Sequence, residues 1–345
     1  MTEETLPAGK LPSALLADLL NRAPVSDPRV ILGPGIGIDC AVVDAGERLL
    51  VVKSDPITFA TDEIGEYLVQ INANDIATTG AIPRWLMVTL LLPEGQTTPA
   101  LAESLFEQIH TTAARLGISV IGGHSEVTPG LDRPIAAGTL IGEVAPGALI
   151  RADGARPGDR LLLTKGVPIE ATSVIAHDLG ERLAPACSPA ELATARAFLR
   201  DPGISVVTEA QVAVAAGRVH AMHDPTEGGL LTALWELARA SGERVVFDRS
   251  RAPVPELARR LCDHLGIDPL ASLASGALLI ATAEADAEPI AAAIRDAGIP
   301  CCEIGHIEAG EPELVAETAG TRERCQPPAR DEIARLFESL SPGAD

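Results

Sequence analysis

Three aspartates stand where strand-like or helical runs meet loops: Asp39 in GIGIDCAVV, Asp55 in VVKSDPIT and Asp75 in INANDIATTGA. Singly, an aspartate at such a junction is a turn-former. Together with the amides of Asn72 and Asn74 they offer hard oxygen donors suited to Mg²⁺, which keeps several waters and shares its coordination with substrate phosphates. That chemistry would let an acidic chain take up an anionic nucleotide. Two further segments carry anion-binding signals. IGGHSEVTPG places Gly122 and Gly123 after an apolar strand, where a turn with exposed N–H groups can cradle oxyanions. An ordinary turn requires the same pair, and His124 taken alone reads as a hydrogen-bonded structural residue. In HDPTEGGLLTALWELA, Asp224 or Thr226 can cap a helix whose first turn is stripped of side chains by Gly228 and Gly229. The positive end of its dipole is then open to an anion, although a well-capped core helix reads the same way.

Composition narrows the ligand. The chain has 345 residues, with 27 Lys+Arg against 48 Asp+Glu and a formal charge of −21. Nucleic acid and anionic lipid are disfavoured, because their affinity comes from basic side chains that neutralise phosphates, and aromatics at 2% offer few stacking platforms. The start, MTEETLPAGK, is acidic where a signal peptide is basic, and no apolar run approaches the ~18 residues of a membrane span. A cytosolic protein without membrane contact is expected. Six scattered cysteines contain no CxxC pair and signal neither a disulfide framework nor a zinc site. Only Lys10, Lys53 and Lys165 are lysine, and each sits inside a motif. Compact ammonium charges near phosphate oxygens are the expected reason. Walker, GxGxxG and GxSxG patterns are absent.

Apolar strand-like runs alternate with helical patterns, which predicts a mixed α/β fold. VVDAGERLLVVKSD reads as a hairpin turning at Ala45-Gly46. Ile64, Leu68, Ile71 and Asp75 or Ile76 share one face of a helix stopped by Gly80. WLMVTLLL is a buried strand, Pro99 to Leu116 an amphipathic helix, ISVIGG a short strand opening into the glycine turn, and PIAAGTLIGEV a strand. Gly, Pro and charge gather in VAPGALIRADGARPGD, which sets a boundary near residue 148 between domains 1–148 and 149–345. In the second half, DRLLLTKG, VHAMHD and SGALLIATA read as strands, and CCEIGHIEAG as the closing one. Helices are expected on one side of the strands in each half.

In this order the motifs resemble those of the AIR synthase-like ATP-binding superfamily, and most closely its hydrogenase-maturation HypE group. The stretches that carry the likeness are GKLPSALLADLL, DCAVV, KSDPIT, NANDIATTGAIPRWLMVTLLLPE, GGHSEVT, TKGVPIEATSVIAHD, HDPTEGGLLTALWELA and SGALLIAT. The resemblance implies an N-terminal α/β domain whose strands complete a barrel across a homodimer, with a C-terminal α/β domain beside it. It implies ATP between them and Mg²⁺ on Asp39, Asp55 and Asp75. Lys53, Asn72, Asn74, Gly122, Gly123, Lys165, Thr226, Glu227 and Gly228 would bind the nucleotide, while Asp75, His124 and Asp224 would serve catalysis.

The implied reaction is ATP-dependent phosphorylation of an acyl or amide oxygen, or of a small acceptor. The alternatives are a nucleotide-binding protein without turnover and a kinase of the thiamine-monophosphate type. Departures are visible. His124 stands where several relatives have Asp, TEGG replaces an Arg-Gly-Gly, and PIEAT replaces GIEGT. The chain ends SLSPGAD without the terminal cysteine of the HypE group, and Cys325, 20 residues from that end, is a candidate substitute thiol.

Overall fold

Alternating apolar residues in the first half build one sheet and near-continuous apolar runs in the second build another. The computed structural model describes residues 11, 13–22, 25–35, 38–58, 63–318 and 320–340; Lys10 and residues 341–345 lie outside them. After α1 (Ser13–Asn21), the first unit contains β1 (Val30–Leu32), β2 (Ala41–Asp44), β3 (Leu49–Ile57), α2 (Ile64–Thr78), β4 (Ile82–Pro93), α3 (Pro99–Arg115), β5 (Ser119–Thr128) and β6 (Ile135–Val144). Its strands lie in the order β1-β2-β3-β6-β4-β5. Among the described residues of this sheet, only the β4–β5 pair is parallel.

The second unit contains β7 (Asp159–Thr164), α4 (Ile169–Asp178), α5 (Gly180–Leu183), α6 (Pro189–Arg196), α7 (Val207–Ala216), β8 (Val219–His223), α8 (Gly229–Ser241), β9 (Arg244–Asp248), α9 (Glu256–Leu265), β10 (Leu279–Ala283), α10 (Glu284–Asp296), β11 (Cys301–Glu308), β12 (Leu314–Thr318), β13 (Thr321–Cys325) and α11 (Glu332–Leu340). Its sheet runs β13-β12-β9-β11-β7-β10-β8.

Three expectations are corrected here. The glycines of IGGHSEVT do not turn the chain, because β5 runs through them in register with β4 as far as Thr128. Gly123 lies at φ +148, and a Cβ there would come within 1.8 Å of the Val88 carbonyl oxygen. The glycine thus serves close strand packing. CCEIGHIEAG does not close the sheet, since a short half-buried strand, a polar strand and a helix follow it. Nor is the second sheet covered on one side only. Leu162, Met222 and Ile280 pack with Ala210 and Ala213 of α7 and Ile290 and Ile294 of α10, while Leu161, Leu163 and Leu279 pack with Leu230, Leu234 and Leu237 of α8. A strand apolar on both faces needs helices on both faces.

Helix α2 is the fold's central rod. Every residue from Ile64 to Ala77 is buried, with the first sheet and α3 around part of it and α7 and β8 of the second unit around the rest. It presses close to the sheet at Gly138 of β6, where a Cβ would stand 2.9 Å from Asn72 Nδ2. A helix enclosed in this way must satisfy its polar side chains inside the protein, and that requirement shapes the site.

Candidate functional site

Asp39, Asp55 and Asp75 all face one ammonium, that of Lys53. Lys53 and Asp55, two residues apart on β3, share the face turned to α2, and Asp75 rises from α2 to meet them. Lys53 Nζ stands 2.8 Å from Asp75 Oδ2 and 3.8 Å from both Asp39 Oδ1 and Asp55 Oδ2. Cys40, buried beside Asp39, donates its Sγ–H to the Asp75 carbonyl at 3.4 Å and ties the start of β2 to the helix. Asp224, which follows β8, brings a fourth carboxylate from the second unit and lies near enough for Asp75 and Asp39 to act on its charge.

Burial pushes the Asp75 carboxyl up to about 7, with the Lys53 ammonium opposing and Asp39 and Asp55 adding to the rise. Burial likewise pushes Asp224 well above the carboxylate range, with Asp75 adding and His223 opposing. Burial alone would lower Lys53, yet Asp75, Asp39 and Asp55 together hold it above its ordinary value. His223 is a second cation that the sequence reading passed over. Burial lowers it, but Glu236 of α8, whose Oε2 is 2.8 Å from His223 Nε2, outweighs that and lifts it to about 9. Its signal was its place, immediately before Asp224 at a strand end.

The donor set fits Mg²⁺ in kind: hard oxygens from several carboxylates, some buried and some open to solvent. Asp75 Oδ2, although ion-paired to Lys53, receives no hydrogen bond of ordinary geometry, and Asp224 Oδ2 has no hydrogen-bond partner. As they stand, no three His, Cys, Asp or Glu side chains among the described residues converge to hold a metal ion by themselves. Water and substrate phosphate would have to complete the coordination.

Several expected ligand contacts turn out to be structural. Asn72 is fully buried. Its Oδ1 accepts from the Asp55 N–H at 3.1 Å and its Nδ2 donates to the Leu68 carbonyl at 2.9 Å. Asn74, equally buried, donates to the Ile204 carbonyl and accepts from the Val206 N–H, each at 2.8 Å. Both amides are spent on clamping α2, the first to β3 and the second to the other unit. Lys165 is also turned inward, its Nζ lying 2.8 Å from Glu209 Oε1 and donating to the carbonyls of Ser205 at 2.6 Å and Gly203 at 3.1 Å. That ammonium holds the segment that Asn74 grips from the other side.

The open helix end also needs correction. Neither Asp224 nor Thr226 caps α8; the Gly228 N–H donates at 2.7 Å to Asp331 Oδ2, whose Oδ1 accepts from the Ile333 N–H at the start of α11. The chain's own carboxylate takes the place expected for a phosphate. Thr226 contributes its backbone carbonyl to Gly229 and Ala274, and Glu227 is exposed.

His124 is not brought to the carboxylates. It is exposed on β5, with Nε2 3.1 Å from Glu126 Oε2, and β6 and β4 separate β5 from β3. Asp55, Gly138, Val88 and Gly123 form one row across the sheet, so three strand spacings of ~4.8 Å set Gly123 about 14 Å from Asp55. Gly122, Gly123 and His124 line a separate cavity of about 420 Å³ with Phe106, Ile109 and His110. Cys325 lies in β13, paired with Leu314, on the sheet edge opposite β8 with five strands between. It is no substitute for a mobile terminal thiol.

Comparison with known proteins places both units in one family and agrees with the fold. Residues 37–144 match the AIR synthase related protein, N-terminal domain, and residues 156–316 the AIR synthase related protein, C-terminal domain. A putative hydrogenase expression/formation protein of Methanocaldococcus jannaschii is 27% identical over 317 residues, 88% of this chain and 90% of the relative. Carbamoyl dehydratase HypE of Cupriavidus necator is 30% identical over 257 residues, 73% of this chain and 70% of the relative. The crystal structure of hydrogenase maturation protein HypE in complex with ATP superposes with a TM-score of 0.69 at 25% identity, covering 90% of each chain.

Proposed function

Because the chain belongs to the AIR synthase related protein family through both of its domains, we propose that it is a HypE-like enzyme that uses ATP to phosphorylate an acyl or amide oxygen of an acceptor. The observation that carries this reading is the gathering of Asp39, Asp55 and Asp75 of one unit around the Lys53 ammonium, with Asp224 of the other unit near enough for Asp75 and Asp39 to act on its charge. Mg²⁺ on Asp39, Asp55 and Asp75 would neutralise the charge of the transferred phosphoryl group. The protein's own part is positional. Asn72 fixes the backbone of Asp55, Asn74 fixes α2 against the second unit, and Asp224 presents an acceptor oxygen without a donor of its own. Such a carboxyl is suited to exchange a proton or a hydrogen bond with the acceptor.

A cytoplasmic homodimer is part of the proposal. No described helix is long and apolar enough to cross a membrane. β5 is an edge strand with Ile121 55% and Val127 54% exposed, the kind of edge that proteins cover by pairing. The test is ADP formation with ATP and Mg²⁺, repeated with Asp55→Asn and Asp75→Asn, each expected to lower turnover by about 10²-fold or more. Candidate acceptors are screened for a phosphorylated product by mass spectrometry. Wild-type protein that neither binds nor hydrolyses ATP ends the reading.

A further inference from the structure

Lys53 is the feature that the proposed reaction leaves unexplained. A lysine expected at a nucleotide phosphate sits with its ammonium inside the carboxylate set itself, 2.8 Å from Asp75 and 3.8 Å from Asp39 and Asp55. Its side chain is only 12% exposed, while those of Asp39 and Asp55 are 52% and 39% exposed. The head group therefore lies on the inner side of the cluster and the open carboxylates on the outer side. Magnesium–oxygen bonds are about 2.0–2.1 Å long, so a divalent ion held by any two of these three carboxylates would lie within a few ångström of the ammonium. Two like charges so close, sharing the same counter-charges, disfavour each other.

We propose that Lys53 is a resident cation that competes with divalent metal for Asp39, Asp55 and Asp75, and that a nucleotide phosphate releases it, so that metal and nucleotide bind as a pair. The argument rests on charge and reach. A lysine ammonium is a point charge on a flexible four-carbon stem. The stem leaves β3 at a residue whose backbone is fixed by pairing with Leu140 of β6, so the head group can swing while its root stays in place. Metal arriving alone must share the carboxylates with the ammonium. Metal arriving with a polyphosphate supplies the ammonium with a new anion as it takes the old ones. Lys53 would in this way suppress occupation of the site by metal without nucleotide. The inference rests on the ATP-using function proposed above.

The experiment measures Mn²⁺ affinity from the free-Mn²⁺ paramagnetic resonance signal, with and without a β,γ-methylene ATP analogue. It compares wild type with Lys53→Met, Lys53→Gln and Lys53→Arg. Lys53→Gln keeps a hydrogen-bond donor for buried Asp75 and serves if Lys53→Met does not fold, which thermal unfolding reports. Without nucleotide, the Met and Gln variants are expected to bind Mn²⁺ about tenfold or more tightly than wild type, a change within the usual range of site-to-site coupling. Lys53→Arg keeps the charge and stays near wild type. The analogue is expected to tighten Mn²⁺ by a larger factor in wild type than in the neutral variants, and by linkage Mn²⁺ tightens the analogue by the same factor.

Equal Mn²⁺ affinity in wild type and a folded neutral variant overturns the proposal, and leaves the ATP reading intact as long as the analogue binds. If the analogue does not bind wild type with or without Mn²⁺, the ATP reading falls, and with it the release step. Tighter Mn²⁺ binding by the neutral variants would then support only the competition.

Discussion

Glu170 offers a sharp test of the electrostatics of the second unit. It lies at the start of α4, 7% exposed, and its Oε2 has no hydrogen-bond partner. Burial pushes its carboxyl from 4.5 up to about 7, with Ser275 opposing and Asp331 and Glu227 adding to the rise. A carboxyl raised in the folded state binds more protons there than in the unfolded chain, so stability falls as pH climbs from the unfolded value through the folded one. The loss is complete above about pH 7 and, at 1.36 kcal/mol per pH unit over that interval, amounts to about 3 kcal/mol. Glu170→Gln keeps the shape and removes the charge. Its urea unfolding free energy is expected to match wild type near pH 4.5 and to exceed it by about 3 kcal/mol near pH 8, with the difference opening between. If wild type and variant lose stability in parallel across that range, Glu170 is not the buried charge that costs the fold its stability.

Two further outcomes follow from the packing. Asn74→Ala removes two buried hydrogen bonds and leaves the Ile204 carbonyl and Val206 N–H without partners, so chemical denaturation should show a loss of about 2–5 kcal/mol; a loss below ~1 kcal/mol contradicts the clamp. Gly123→Ala would drive a Cβ to 1.8 Å from the Val88 carbonyl oxygen, whereas nothing lies within 4 Å of a Cβ at Gly122. The first substitution should destabilise by roughly 3 kcal/mol or more and the second by little, and thermal unfolding of the pair checks the close approach of β5 to β4.

Much of the architecture could be read from local pattern. The hairpin at Ala45-Gly46, the periodicity of α2 and α3, and the strand preceding Asp224 all carry their signal within a dozen residues. What escaped the reading was set by partners distant in sequence. A Gly-Gly pair signals a turn until a neighbouring strand requires a side chain to be absent, as Val88 does at Gly123. Polar β13 resembles loop because only its pairing with β12 makes it a strand. The α2 pattern shows one apolar face, and nothing in it reveals that the second unit encloses the other faces and binds Asn74. Asp331 lies 103 residues from the Gly228 amide that it occupies, a separation that no helix-capping rule spans. The rarity of lysine drew attention to Lys53 and Lys165, and both ammonium groups are turned inward onto the chain's own carboxylates and carbonyls. Their partners, three aspartates for Lys53 and two carbonyls with Glu209 for Lys165, were beyond composition.

The enclosure of α2 bears on how halves of related proteins can be exchanged. A chimaera joined in the 145–158 connection keeps every residue of the first sheet, yet it replaces the Ile204 carbonyl and Val206 N–H that Asn74 needs. It also replaces Lys165, which holds the same segment in place. The backbone path at 203–206 thus has to match the N-terminal half, although it lies beyond the junction in sequence. A graft that ignores it should fold its sheets and misplace Asp75.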